Sequence, residues 1–217
     1  MPHFAAICVA LGAALIAGRL QTPAARVSVR FSTATWATCV IVAALFAAQL
    51  AVPSLLPLLA RDPSMWQGGQ LWRAISALFV QDYGVVGALV NLAALLIVGS
   101  MAEKRLGSVI WLVVYFGGGV VTEFLALMWQ PHGAGNSIAC FALAGALTLR
   151  AIERTPGVMQ LFVCIAGMTA AVALLLLRDI HGLGYWAGIV CLFIASRLRD
   201  LNQRGNREPP HAREAVN

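Results

Sequence analysis

The stretch from Val158 to Leu177 reads VMQLFVCIAGMTAAVALLLL and contains no charged side chain. A helix of about 20 residues is about 30 Å long, which is the thickness of the hydrocarbon core of a bilayer. A membrane-spanning β-strand would be about 10 residues long with alternating polarity, and no such alternation is present. The stretch therefore predicts a transmembrane helix.

The rest of the chain has the same character. Of its 217 residues, 60% are hydrophobic and 11% are charged, whereas a soluble domain carries about 25% charged residues. We predict an all-α polytopic membrane protein with seven spans. The candidate spans are Phe4–Gly18, Thr35–Leu59, Val85–Met101, Ser108–Trp129, Ser137–Leu149, Val158–Leu177 and Ile180–Ser196.

The two ends of the chain differ in composition. The first apolar segment has no basic residue ahead of it, which disfavours a cleaved signal peptide and favours either an uncleaved span or an interfacial helix. The C-terminal segment is rich in charge and contains Pro209-Pro210. We predict that it is a disordered cytoplasmic tail.

The positions of Lys and Arg predict the orientation, because basic residues beside spans remain on the cytoplasmic side. One set of alternate loops holds 12 of the 15 basic residues, and the other set holds only Arg61, Arg73 and Arg178. The 12 are Arg19, Arg26, Arg30, Lys104, Arg105, Arg150, Arg154, Arg197, Arg199, Arg204, Arg207 and Arg213. The net charge of +6 therefore indicates orientation, and we expect no nucleic-acid partner.

Two polar residues lie at the external ends of predicted spans. Ser137 follows Gly135-Asn136 at a helix N-terminus, where unpaired N–H groups can receive an oxyanion. His181 shares a helix face with Gly184 and Gly188, a small-residue pattern that permits close helix packing. A serine nucleophile and a histidine base could therefore meet here. The alternative is that Ser137 only caps its helix and His181 only marks an interface.

Other candidate residues have weaker signals. The five cysteines lie in apolar spans without metal-ligand spacing, so we predict neither disulfides nor a metal site, and we expect no cofactor. His132 is expected to be a solvated loop histidine, and Glu123 either lines a polar cavity or pairs with a neighbour. Asp179 precedes His181 by two residues, a spacing that places helical side chains on different faces. We therefore assign Asp179 to a loop at the lipid headgroups and not to the site.

Five motifs occur in one order along residues 69–196. They are Trp72-Arg73, Asn91, Glu103-Lys104-Arg105-Leu106-Gly107, Gly135-Asn136-Ser137, and His181 with Gly184 and Gly188. In this order they resemble the rhomboid family of intramembrane serine proteases. The resemblance implies a six-helix membrane domain over residues 33–198, preceded by an extra transmembrane helix and linker in 1–32 and followed by the tail in 199–217.

The resemblance also implies roles for individual residues. Ser137 would be the nucleophile and His181 the general base. The oxyanion would be bound by the Ser137 N–H and the Asn91 side chain, beside Gly135 and Asn136. Phe141 would contact the histidine ring.

Structural roles are implied for a second set of residues. Trp72 and Arg73 would brace the external loop, and Glu103, Arg105 and Gly107 would brace the cytoplasmic end.

Two positions depart from the family pattern. Gly87 stands where the family often has a histidine that donates to the oxyanion, and bulky Ile138 follows the serine where a small residue is usual. An inactive rhomboid-like protein that binds transmembrane helices therefore remains an alternative.

A small transporter is the remaining alternative, although the chain shows no inverted repeat. As a protease, the protein would act on transmembrane substrates from within the lipid bilayer, with its site towards the extracytoplasmic face of a bacterial plasma membrane. The sequence does not determine the oligomeric state.

Overall fold

The computed structural model describes residues 2–20, 32–154 and 157–205, which form ten helices joined by short connections. Seven are long: α1 (Pro2–Leu20), α2 (Thr33–Ala51), α6 (Gly84–Leu106), α7 (Ser108–Ala126), α8 (Ser137–Glu153), α9 (Val158–Leu176) and α10 (Ile180–Gly205). Three are short: α3 (Leu55–Leu59), α4 (Ser64–Gln67) and α5 (Arg73–Ser76). No strand occurs in these described ranges.

Several boundaries differ from the predicted ones. The second predicted span ends early, at Ala51, because Pro53 has no N–H to donate and restricts the backbone of Val52 to a non-helical conformation. At the other end of the chain, α10 continues to Gly205, so the first residues that we assigned to the tail are helical. Most of the predicted linker and residues 206–217 of the predicted tail lie outside the described residues.

Helix α8 is the centre of the bundle. Six of the long helices are long and apolar enough to cross a membrane, and α8 differs from them in having only 17 residues. A helix of that length is about 25 Å long, shorter than the hydrocarbon core. Most of its side chains are buried, because α10, α1, α7 and α9 pack around it. Ser137, its first residue, is half-buried at one end.

Helix α1 packs on α9 and α8 through a row of small residues. Ala10, Ala14 and Ala17 are fully buried and recur with helical spacing along one face of α1. On α9, a methyl group added to Gly167 would lie 3.1 Å from the side chain of Ala13. Small side chains permit this close approach of two helices in a membrane.

The opposite end of the bundle is held by Glu103. Its carboxylate accepts hydrogen bonds from the Ala34 and Thr35 N–H groups at the start of α2, and from the hydroxyls of Thr35 and Ser108. The N–H groups of Ala34 and Thr35 have no acceptor within their own helix, because they belong to its first turn. The buried Glu103 carboxylate accepts hydrogen bonds from both. Gly107, at φ 84°, makes the turn between α6 and α7, and Arg105 lies two residues before it, half-buried.

Candidate active site

The Ser137 and His181 side chains contact each other across the α8–α10 interface. The distance from Ser137 Oγ to His181 Nε2 is 3.0 Å, which is hydrogen-bonding distance. Both side chains are half-buried and remain partly accessible. The phenyl ring of Phe141, one turn along α8, lies with its centroid 4.8 Å from that of the imidazole.

Asp179 joins this pair, and our expectation that its side chain points away from His181 is wrong. Asp179 Oδ1 lies 2.6 Å from His181 Nδ1 and accepts the His181 backbone N–H at 2.9 Å. Asp179 precedes the first residue of α10, so helical spacing does not apply to it, and its carboxylate folds back as an N-cap. Sequence reasoning missed it for this reason; an Asp directly before a helix was the available signal.

The charge of Asp179 decides which imidazole nitrogen carries the proton. Burial raises the pKa of this carboxyl, but hydrogen bonds from His181 and His3 and the charge interaction with His181 outweigh burial and lower the pKa to about 2. An ionised carboxylate only accepts hydrogen bonds, so Nδ1 of His181 is the donor to Asp179. Nε2 is then free to accept the Ser137 hydroxyl proton.

Close packing of α8 and α10 makes these contacts possible. A methyl group added to Gly184 would overlap the backbone carbonyl of Ile138, and one added to Gly188 would overlap that of Ala142. Conversely, a methyl group on Gly145 would overlap the Tyr185 carbonyl. The two backbones are therefore in van der Waals contact, and Ile138 fits with its side chain buried.

A polar network lies on the other side of Ser137. Asn91 donates through Nδ2 to Gln81 Oε1 at 2.7 Å, Gln81 donates to Asn136 Oδ1 at 2.9 Å, and Asn136 donates to the Asn91 carbonyl at 3.2 Å. The Asn91 amide has two N–H groups, and this closed ring fixes their direction. Gln81, which is fully buried, was missed by the sequence analysis because an isolated Gln before a span carries no motif.

Gly135 gives the chain the shape that brings Asn91 near Ser137. Its φ is 140°, a conformation that favours glycine. A methyl group here would lie 3.3 Å from Asn91 Nδ2 and 3.9 Å from Ser137 Oγ. The Gly135 N–H also donates to the Ala77 carbonyl at 2.9 Å, which holds the loop before the serine.

A buried ion pair anchors the same loop. Arg61 Nη1 contacts Glu123 Oε2 at 2.5 Å, and the two side chains are 2% and 1% exposed. Of the two readings of Glu123, the structure therefore supports pairing. Arg61 also donates to the carbonyls of Gln130 and His132. The His132 ring is 70% exposed and lies 3.2 Å from Asp62, in agreement with a solvated loop histidine.

The loop between α2 and α6 is held by Arg73. This buried residue donates to the carbonyls of Pro57 and Ala60, both at 2.8 Å, and to Gln70 Oε1 at 2.6 Å. Its guanidinium lies 5.1 Å from the centroid of the Trp72 ring. These contacts tie α5 to the segment that precedes α4.

Comparison with known proteins agrees with this arrangement. Residues 68–196, more than half of the chain, match the family model described as the Rhomboid domain. The chain belongs to the rhomboid family. It is also similar to the rhomboid protease GluP of Bacillus subtilis strain 168, with 26% identity over 153 residues. That alignment covers 67% of this rhomboid and 29% of the relative's length.

Family membership and the apolar helices together make this rhomboid an integral, multi-pass membrane protein. The predicted all-α rhomboid fold is confirmed. Gly87, one of the two departures from the family pattern, has a local structural reason, since an added Cβ would overlap the Cβ of Tyr83 one turn earlier.

Proposed function

We propose that this rhomboid is an intramembrane serine protease in which Ser137 is the nucleophile and His181 the general base. The observation that carries the proposal is the 3.0 Å contact between Ser137 Oγ and His181 Nε2. A serine hydroxyl is a weak nucleophile unless a base lies within hydrogen-bond reach. The family match and the similarity to a protease support the same activity.

The reaction proceeds in two halves. Ser137 Oγ attacks the peptide carbonyl while its proton passes to His181 Nε2, and His181 then returns the proton to the leaving amine. Water, deprotonated by the same imidazole, releases the acyl group from the serine. In both halves the oxyanion is bound by the Ser137 N–H, which as the first of α8 has no intrahelical acceptor, and by the Asn91 N–H that does not contact Gln81.

The substrates that we propose are transmembrane segments of other proteins. The pair sits at the external end of a helix shorter than the bilayer, in a bundle whose outer surface is largely apolar. The substrate must present an extended peptide bond to Ser137, because the carbonyl group of a helical residue is hydrogen-bonded within its own helix.

A cleavage assay tests this proposal. We expect the purified protein in liposomes to cut a single-span model substrate, and Ser137→Ala to abolish the cutting. Ser54→Ala, which alters an exposed serine elsewhere, should cleave at the wild-type rate. A folded wild type that binds the substrate without cutting it would contradict the proposal in favour of an inactive helix-binding protein.

A second prediction concerns Asp179. Asp179→Asn retains an acceptor for the His181 N–H but removes the charge that orients the imidazole, so we expect cleavage to fall by at least about a hundredfold. Asp62→Asn serves as control, because this carboxylate contacts His132 rather than His181. Cleavage by Asp179→Asn at the wild-type rate would contradict this role.

The wild-type pH dependence follows from the same carboxyl. The pKa of this carboxyl is lowered to about 2. The stabilisation of the folded site by the ionised carboxylate is therefore fully present above the ordinary Asp pKa of about 3.9 and is lost as the pH falls through about 2. Titration of the Asp179 carboxyl therefore contributes nothing to a change of activity between pH 5 and 8.

We also propose that the site faces the exterior of a bacterial plasma membrane, in keeping with the 12 basic residues in alternate loops. In intact cells, with exposed Cys8 replaced by Ser, an impermeant maleimide should label Gln67→Cys and not Gly157→Cys. A methyl group at Gly157 meets nothing within 4 Å, so this position tolerates the thiol. Labelling of Gly157→Cys alone would reverse the orientation.

A further inference from the structure

The N-terminal helix reaches the candidate active site. His3, in the first turn of α1, lies with Nδ1 3.1 Å from Asp179 Oδ2. Asp179 uses its other oxygen, Oδ1, for both contacts with His181. Each carboxylate oxygen therefore has its own partner, and a chain of hydrogen bonds runs from His3 through Asp179 and His181 to Ser137.

We propose that His3 is a positioning residue for hydrolysis: it donates to Asp179 and thereby fixes the carboxylate that orients His181. The proposal rests on the proposed protease function. A carboxylate held through one oxygen can rotate about its Cβ–Cγ bond, and a donor on the second oxygen prevents that rotation. His3 is suited to this role because α1 packs along α9, which ends at Leu176, shortly before the turn that contains Asp179.

The titratable groups that face Asp179 come from three elements. They are His3 from α1, His181 from α10 and the Tyr83 phenol from the turn before α6; the neighbouring Arg178 is exposed. Of these groups, His3 is the donor to Oδ2, so its removal takes this hydrogen bond away and lets the carboxylate turn away from the imidazole.

The experiment compares His3→Ala, His3→Asn and Phe4→Ala with wild type in the liposome cleavage assay. For His3→Ala we expect cleavage to fall about tenfold, the effect of one hydrogen bond to a charged group. Asn carries an N–H near the position of Nδ1, so His3→Asn should restore the rate. Phe4→Ala changes an exposed neighbour on the same helix and should match wild type.

Each other outcome overturns the proposal. A wild-type rate in His3→Ala would show that the contact has no role. A His3→Asn variant no faster than His3→Ala would show that His3 only packs α1. Melting temperatures of the variants identify any loss of fold. A wild type that neither cleaves nor reacts at Ser137 overturns the protease proposal together with this one, whereas an active wild type confines the failure to His3.

Discussion

A fluorophosphonate should react with the purified protein at Ser137 and at no other serine. Covalent capture requires a serine whose proton is taken up as the bond to phosphorus forms, and His181 Nε2 lies 3.0 Å from Oγ to accept it. Ser137→Ala should eliminate the labelling. His181→Ala should slow it by at least about a hundredfold, the usual contribution of general-base catalysis. Mass spectrometry of the labelled peptide identifies the site.

His132→Ala is the matched control for the base. This histidine lies five residues before the serine, yet its ring faces Asp62 and is exposed, so its removal should leave the labelling rate unchanged. Loss of labelling in His132→Ala with retention in His181→Ala would reverse the assignment of the base. A folded wild type that is not labelled would contradict an activated serine altogether.

Gly188→Ala should damage both stability and activity although it adds a single methyl group. The new Cβ would overlap the carbonyl of Ala142, which belongs to the backbone and cannot rotate away, so α10 must move off α8. Overpacking costs about 1 to 3 kcal/mol and occasionally more, and a backbone obstacle places this change at the upper end. For a chain of this size the apparent melting temperature in detergent should fall by roughly 5 to 10 °C.

The Ser137 reactivity of Gly188→Ala should fall as well, because His181 is on the same helix two turns away. Gly12→Ala is the control: it lies within α1, where an added methyl group meets nothing within 4 Å, and Ala is the better helix former. Its melting temperature should equal or exceed that of wild type. Equal losses in the two variants would remove the argument for backbone contact at Gly188.

Much of the fold could be predicted from the sequence, because long apolar runs have few stable arrangements in a bilayer. The end of α2 before Pro53 was harder to predict, because transmembrane helices tolerate prolines. The length of α10 was also missed: its helix continues beyond Ser196 into polar residues, where hydropathy no longer reports on helicity.

The candidate site was predictable where a motif fixed local geometry and not where contacts cross the bundle. The spacing of His181, Gly184 and Gly188 indicated a close helix contact, and the structure places both glycines against α8. The direction of the Asp179 side chain depends on whether the helix begins before or after this residue. Helix boundaries are the least certain feature of any sequence-based assignment. Gln81 and His3 contact residues 55 and 176 positions away, and no local pattern encodes such a distance.

The contact between Ser137 and His181 also has a consequence for the time at which the protein becomes active. The ribosome synthesises the serine 44 residues before its base, so α8 and α9 enter the membrane while the nucleophile has no proton acceptor. On the proposed function, a nascent or prematurely terminated chain holds an inert hydroxyl. On that function, the site is complete only when α10, which carries His181, has been inserted.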